Sequence, residues 1–360
     1  MSEEILNLLD LFEQPAFFVR DGLICRCNPA ARSLVEEGTS LSDLLKESSQ
    51  MFNLWDGSGT LNLSLELPGL PPCDAAVRSC ASGFLFVAAP KKEEVPPVDA
   101  NLLLSSAASL RRPLHSLLTS AGELFEQLDP EQVTGTASEL NRSIYQLIRL
   151  SAQISDGVPL LLKQKKASRT PVDAAAFFDH FAGQVKPLLE ASGRQFIYTS
   201  LSRPLSMDLD TALVERALFN LIANAVTYSS EGSTVSLTLH TQEHRLLVTV
   251  SDSGEGISPE VTATLFERYA DRPIGDSRWG MGLGLPMVRE IARLHDGAMI
   301  VCSGKEGQGT TVIFSLSTDP APELSLHSPL LGYDYCGGLN HALVELSGCL
   351  DKENYRPDQV

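Results

Sequence analysis

Residues 215–228 read ERALFNLIANAVTY, and the identity of this stretch decides the fold. Asn220 and Asn224 stand four positions apart, so in a helix both side chains share one face. Amide oxygens placed there can ligand a hard cation such as Mg²⁺, which takes oxygen donors and keeps several waters. Taken alone, the pair is equally two polar residues on an exposed helix face. The sequence around it is more specific. A helix over 208–228 is followed by TVSLTLH (234–240) and RLLVTVSD (245–252), which predict two strands. The second strand runs into Asp252-x-Gly254-x-Gly256-Ile257. A carboxylate at a strand end, followed by glycines that permit close backbone approach, can accept a hydrogen bond from an exocyclic amine. An ordinary strand-terminating turn has the same composition.

Further on, RWGMGLGLPMVREIARLHDG (278–297) places Gly280, Gly282 and Gly284 at the start of a helix. Free backbone amides and the positive helix end favour phosphate there. The run is similar to a dinucleotide fingerprint, but that motif belongs after the first strand of its unit, with an acidic residue about 20 positions on. In their actual order, the three stretches resemble the N, G1 and G2 boxes of the Bergerat-fold ATPases, most closely those of histidine kinases. LFERY (265–269) resembles the F box between them, and DGAMIVCSGKEGQGTTVIFSLS (296–317) the final strand pair. The likeness covers nearly all of 171–317.

The resemblance implies ATP and Mg²⁺ as cofactors. It implies that Asn224 holds the metal, supported by Asn220, and that Asp252 reads the adenine amino group in a pocket shaped by Gly254 and Gly256. Gly280, Gly282 and Gly284 line the phosphates, 271–278 forms the lid, and Arg272 or Arg278 is the candidate to meet the γ-phosphate. Relatives of the fold that hydrolyse ATP, of gyrase and chaperone type, carry a glutamate at the Asn220 position as general base. An amide cannot take a proton from water, so Asn220 argues for phosphoryl transfer or binding. Two departures stand out: Thr227 replaces the usual basic residue, and Trp279 the usual first glycine of the G2 box.

Upstream, apolar or small residues recur at Leu103, Ala107, Leu110, Leu114, Leu117, Ala121, Leu124 and Leu128, then at Val133, Ala137, Leu140, Ile144, Leu147, Ser151 and Ile154. Two heptad-patterned helices broken at Asp129-Pro130 predict an antiparallel hairpin. A hairpin with one stripe cannot cover its own seam, so two copies pairing into a four-helix bundle are expected, hence a homodimer. SLRRPL (109–114) resembles the family's dimerisation helix, in which a phospho-accepting histidine and an acidic residue precede LRTPL. Here Ala108 stands at the acceptor position and Ser109 at the acidic one, and neither can do that chemistry. Pro113 inside the helix frees a carbonyl and opens the helix locally, or is a tolerated kink. His115, seven residues after Ala108, returns to nearly the same face about 10 Å along the axis. It is an acceptor candidate without a carboxylate beside it, or a solvent-facing histidine next to the seam. Lys163, Lys165, Lys166 and Arg169 then form a basic connector.

At the N-terminus, PAFFVRDGLICRCN (15–28) reads as two strands joined at Asp21-Gly22, and PAARSLVEEG (29–38) as a short helix. LNLSLEL, DAAVRSC and GFLFVAAP complete a small antiparallel sheet that resembles a PAS sensor domain. KKEEVPPVDA (91–100) is a linker, and GGLNHALVELSGCL (337–350) predicts one amphipathic helix in a tail without a function.

The expected organisation is multidomain α+β. A PAS-like domain covers 1–90, a linker 91–100, the hairpin 101–165, a Bergerat-type α/β sandwich 166–320 and the tail 321–360. Net charge is −17 over 360 residues, which disfavours non-specific binding to nucleic acid or anionic lipid. With no bilayer-crossing apolar run and an acidic amphipathic N-terminus, a cytoplasmic protein without membrane or nucleic-acid partners is expected. The seven cysteines are scattered, which predicts reduced thiols. The resemblance implies a two-component sensor histidine kinase that passes phosphate to a response-regulator receiver domain. Alternatives are a catalytically silent ATP-binding scaffold and an anti-sigma-type serine kinase.

Overall fold

A computed structural model of the chain describes residues 14–45, 48–55, 57, 60–69, 73–80, 83–89, 100–126, 130–256, 283–303, 309–319 and 339–356, with Leu9 and Phe12. Strands β1 (Ala16–Arg20) and β2 (Leu23–Cys27) form the expected hairpin. Asp21 and Gly22 both have positive φ, 51° and 76°, the backbone that lets a two-residue turn follow the strand twist. The helix expected over 29–38 does not form; those residues make successive turns. The fully buried Asn28 ties the start of this stretch to the chain before it. Its Oδ1 accepts from the N–H groups of Ala16 and Ala31, and its Nδ2 donates to the carbonyls of Phe12 and Gln14. The Gly38 N–H returns to the Ile24 carbonyl at 2.7 Å, which closes the loop before a helix could extend.

Two short helices follow, α1 (Leu41–Leu45) and α2 (Ser49–Leu54), then β3 (Thr60–Leu65), β4 (Cys73–Cys80) and β5 (Gly83–Ala89). The antiparallel strand order is β2-β1-β5-β4-β3, with Phe17 stacked on Phe86 at 5.2 Å in its core. The linker at 91–99 lies outside the described residues.

Helices α3 (Ala100–Glu126) and α4 (Pro130–Ala152) make the expected hairpin, and α3 runs through Pro113. The heptad stripe divides in two. Ala107, Leu114, Ala121, Ala137, Ile144 and Ser151 are buried within the chain, whereas Leu110, Leu117, Leu124, Leu140 and Leu147 are 40–55% exposed. A π-helical turn, Gln153–Gly157, and a short α5 (Val158–Leu161) lead out of the hairpin. Of the basic connector, Arg169 departs from expectation. It is buried and binds the Leu294 carbonyl and Asp296.

The C-terminal half adds β6 (Thr170–Asp173), α6 (Ala174–Ala191), β7 (Gln195–Thr199), β8 (Ser206–Leu209), α7 (Thr211–Thr227), β9 (Thr234–Gln242), β10 (Arg245–Asp252), α8 (Gly284–Leu294), β11 (Met299–Ser303) and β12 (Thr310–Ser317). Helices α6, α7 and α8 pack on the strands, giving an α/β sandwich whose inner residues share one core. The strands run in the order β11-β12-β10-β9-β7, with β7 and β9 parallel. An unexpected feature is that β3 pairs antiparallel with β11, Thr60 opposite Ser303 and Asn62 opposite Val301, so ten strands form one sheet. Ile300 of β11 is buried in the N-terminal core.

Of the tail, residues 339–356 are described, and they are not one long helix. Its helix, α9 (His341–Glu345), is a single turn capped by the Asn340 side chain, and the chain closes with a 3₁₀ turn at Lys352–Tyr355. Gly348 lies close against Arg149, where a Cβ would sit 2.7 Å from the guanidinium.

Candidate nucleotide site

Helix α7 begins at Asp210, whose Oδ1 caps the Leu213 N–H at 3.1 Å. Its apolar residues sink into the core from Leu213 to Val226. That burial carries Asn220 inward, leaving it 3% exposed, with its Nδ2 donating to the Arg216 carbonyl at 2.9 Å. Its Oδ1 is thereby left facing Gly284, where a Cβ would lie 3.2 Å away. Helix α8 therefore starts against the amide that the sequence singled out. No side chain caps α8 at Leu283, so its first N–H groups remain available to an anion. Asn224, one turn after Asn220, is half-buried, and among the described residues its amide has no hydrogen-bond partner. The Thr227 hydroxyl turns back to the Ala223 carbonyl at 2.7 Å, so it does not replace the missing cation.

Asp252 ends β10 opposite Val235. Its Oδ1 accepts from the N–H of Gly254 at 2.9 Å and of Thr310 at 3.3 Å. Burial pushes its carboxyl above the usual carboxylate range, while these two N–H groups pull the other way. Both bonds fall on one oxygen, and among the described residues Oδ2 is left for a ligand. Gly254 must be glycine, since a Cβ would lie 2.2 Å from the Tyr228 carbonyl oxygen. Gly256 follows at φ 78°.

Residues the sequence argument passed over close the same pocket. Gly309, at φ 74°, would place a Cβ 1.9 Å from the Asp252 carbonyl, and Thr310 supplies the second N–H to the carboxylate. A glycine directly before the closing strand was the available signal. Arg216 and Asp156 were also passed over. The buried guanidinium reaches Asp156 of the π-turn at 3.0 Å, which ties the end of the hairpin to α7 one turn before Asn220.

The structure thus brings Asn220, Asn224 and Gly284 together on neighbouring helices, with Asp252, Gly254 and Gly256 at the adjoining strand end. Gly280, Gly282, Arg272, Arg278, Trp279, the F-box-like 265–269 and the lid at 271–278 lie outside the described residues. His115 lies apart, half-exposed on α3, its carbonyl accepting from the Thr119 hydroxyl. Among the described residues no three His, Cys, Asp or Glu side chains cluster as a metal site, and Cys25, Cys27, Cys73, Cys80, Cys302 and Cys349 are free thiols. Amide oxygens beside an uncapped helix end suit a hard cation that completes its shell from phosphate and water.

Residues 209–320 match the family described as histidine kinase-, DNA gyrase B- and HSP90-like ATPase. Sensor protein kinase PmrB of Pseudomonas aeruginosa is 27% identical over 62% of this chain and 46% of its own length. The sensor-like histidine kinase SenX3 of Mycobacterium tuberculosis is 31% identical over 64% of this chain and 53% of its own. Among solved structures, full-length ShkA in complex with AMPPNP superposes with a TM-score of 0.50 at 26% identity, covering 63% of this chain and 48% of that one. The chain spans about half the length of these relatives. No described helix is long and apolar enough to cross a membrane.

Proposed function

We propose that the chain, whose residues 209–320 match the histidine kinase-like ATPases, is a sensor histidine kinase that binds Mg–ATP and transfers the γ-phosphate to His115 or to a histidine on a partner, Ala108 standing at the usual acceptor position. The observation that carries this is the buried Asn220 beside Gly284, an amide where water activation would need a carboxylate. Among the described residues, the position where water activation would need a carboxylate holds an amide, which favours transfer over hydrolysis. In the transfer, an imidazole nitrogen attacks the γ-phosphorus, the bond to the bridging oxygen breaks, and ADP leaves. Asp252 fixes the base through its free Oδ2, Gly254 keeps the wall thin, and the N–H groups opening α8 hold phosphate oxygens. Asn224, supported by Asn220, would hold Mg²⁺, which when bound offsets phosphate charge.

The remainder of the reading rests on separate observations. The N-terminal strand order β2-β1-β5-β4-β3 supports a PAS-like sensor. The exposed leucines of the hairpin support a homodimeric four-helix bundle, since a stripe of this kind on a lone chain leaves apolar surface in water. A response-regulator receiver domain as phosphate recipient, a cytoplasmic location and the four-part division of the chain belong to the same proposal. Ala108 and Ser109 favour a second reading, a silent ATP-binding scaffold.

Incubation of the protein with γ-labelled ATP and Mg²⁺ separates the two. Acid-labile label that disappears in His115→Ala, or that passes to a receiver domain, is expected of the kinase. Nucleotide binding without any transferred label would establish the scaffold.

A further inference from the structure

The folded tail sits between two bodies that phosphoryl transfer requires to move. On the hairpin side, the Tyr145 and Tyr355 rings meet edge-on at 5.3 Å, and Asn141 Nδ2 donates to the Tyr355 carbonyl at 3.2 Å. Arg142 Nε and Gln146 Nε2 both donate to the Ser347 carbonyl, at 3.3 and 3.0 Å. Arg149 faces the carboxylate of Glu345, which is 1% exposed. On the ATP-binding side, His341 Nδ1 meets Glu215 Oε2 at 3.1 Å, on α7 five positions before Asn220. Asn340 and Leu343 line one cavity with Gln184, Pro187 and Leu188 of α6. Leu343, Val344, Leu346, Leu350 and Tyr355 join the core that also holds Tyr145 and Ile148 of the hairpin. The Tyr355 hydroxyl donates to the Leu343 carbonyl at 2.7 Å, closing the segment on itself. All of this lies beyond the ATPase family match, which ends at residue 320.

We propose that residues 340–355 are an intramolecular strap that holds the ATP-binding domain against the second helix of the hairpin, and that phosphoryl output requires its release. Asn141, Arg142 and Gln146 of α4 donate to backbone carbonyls of the strap and Arg149 pairs with its buried Glu345, while the strap's apolar side chains enter the core shared with the ATP-binding domain and His341 meets Glu215 of α7. An element with partners on both bodies fixes their separation while it is seated. Its consequence for output rests on the kinase reading above; the mechanical claim does not.

The test uses the full chain. Tyr355→Ala removes both the ring against Tyr145 and the hydroxyl bond to Leu343, while Glu345→Gln keeps the shape and removes the charge. Hydrogen exchange is followed in peptides covering 138–149, 184–189, 213–217 and 341–355, with 234–252 as the control. In Tyr355→Ala the first four should exchange together about tenfold faster with the control unchanged. Loss of γ-phosphate from labelled Mg–ATP should rise about threefold, with nucleotide affinity held within about twofold. Joint release without increased γ-phosphate loss, where the wild-type chain does transfer label, overturns the strap's control of output, and faster exchange confined to 341–355 overturns the strap itself. So does a collapse of nucleotide affinity, which would make the tail part of the ATPase fold. Should Tyr355→Ala not fold, Glu345→Gln is judged by the same readouts. A wild-type chain that binds no nucleotide, or binds it and transfers no label, refutes the kinase reading and leaves the exchange result to decide the mechanical claim.

Discussion

Replacing Asp252 by asparagine separates the two jobs of this side chain. Its Oδ1 satisfies two backbone donors, Gly254 and Thr310, at 2.9 and 3.3 Å. An asparagine Oδ1 accepts both, so the strand end and Gly309 should stay in place. What changes is the other end, where an acceptor becomes an NH₂ donor facing the exocyclic amine of adenine. Loss of a hydrogen bond to a charged acceptor costs about 1.5–3 kcal/mol, and two opposed donors leave the amine unpaired as well. Taking about 2–3 kcal/mol, ATP binding should weaken roughly 30- to 150-fold.

Calorimetric titration of Asp252→Asn with ATP and with inosine triphosphate, both with Mg²⁺, measures this directly. Inosine carries a carbonyl where adenine carries the amine, so the variant should lose ATP affinity and gain on the inosine nucleotide. The wild-type carboxylate must be ionised to accept, and burial raises its pKa. Wild-type affinity should therefore begin to fall on acidification before an ordinary carboxylate would protonate, and Asp252→Asn should show no such dependence. Equal losses for both nucleotides, or an ATP affinity left intact, would refute Asp252 as the base reader.

Asn224→Ala should remove the benefit of Mg²⁺ to nucleotide binding while metal-free ADP binds as before, measured by titration with and without chelator. Asp156→Asn removes the carboxylate 3.0 Å from the Arg216 guanidinium, whose side chain is 5% exposed; chemical denaturation should show a loss of up to about 3–5 kcal/mol, largely recovered when Arg216→Met is added. Leu117→Glu places a charge in the exposed stripe of α3 and should shift the chain to monomer in sedimentation equilibrium, with nucleotide affinity unchanged. His295 is 1% exposed, accepts the Asp210 N–H on Nε2 and is held neutral by burial, which lowers its pKa. The unfolded chain then binds the proton more readily, so stability is full above about pH 6.5 and falls as pH drops through that value. Thermal unfolding of His295→Asn should show a smaller loss between pH 7 and 5.

The parts of the site legible in the sequence are those whose chemistry is local. Asn220 and Asn224 are linked by helical spacing, Asp252 and Gly254 by two positions at a strand end, and Gly284 by its place at a helix start. Each signal lies within a few residues of the feature it marks. Gly309 was not assigned because its constraint is a contact with the Asp252 carbonyl, 57 positions earlier, which no local pattern encodes. The misread helix over 29–38 has the same origin. Its composition suits a helix and Asn28 caps its first turn, but the Gly38 N–H returns to the Ile24 carbonyl and the Ile24 N–H donates to the Thr39 carbonyl, contacts with β2 that no local pattern encodes.

The hairpin shows how far periodicity reaches. The alternation of four and three identified both helices and their seam, yet it could not separate residues covered by the partner helix from those left exposed. That division depends on the handed packing of α3 on α4, which puts Ala107, Leu114 and Ala121 inside and Leu110, Leu117 and Leu124 outside. The tail was illegible for a stronger reason. Its helix is one turn long, too short to show a period, and its partners Asn141, Arg142, Gln146 and Arg149 lie about two hundred positions earlier, on a helix already accounted for by its own stripe. Polar residues on the outward side of an amphipathic helix are indistinguishable in sequence from a solvated surface. Only the folded chain shows that this surface is covered, and that what covers it also grips the helix bearing Asn220.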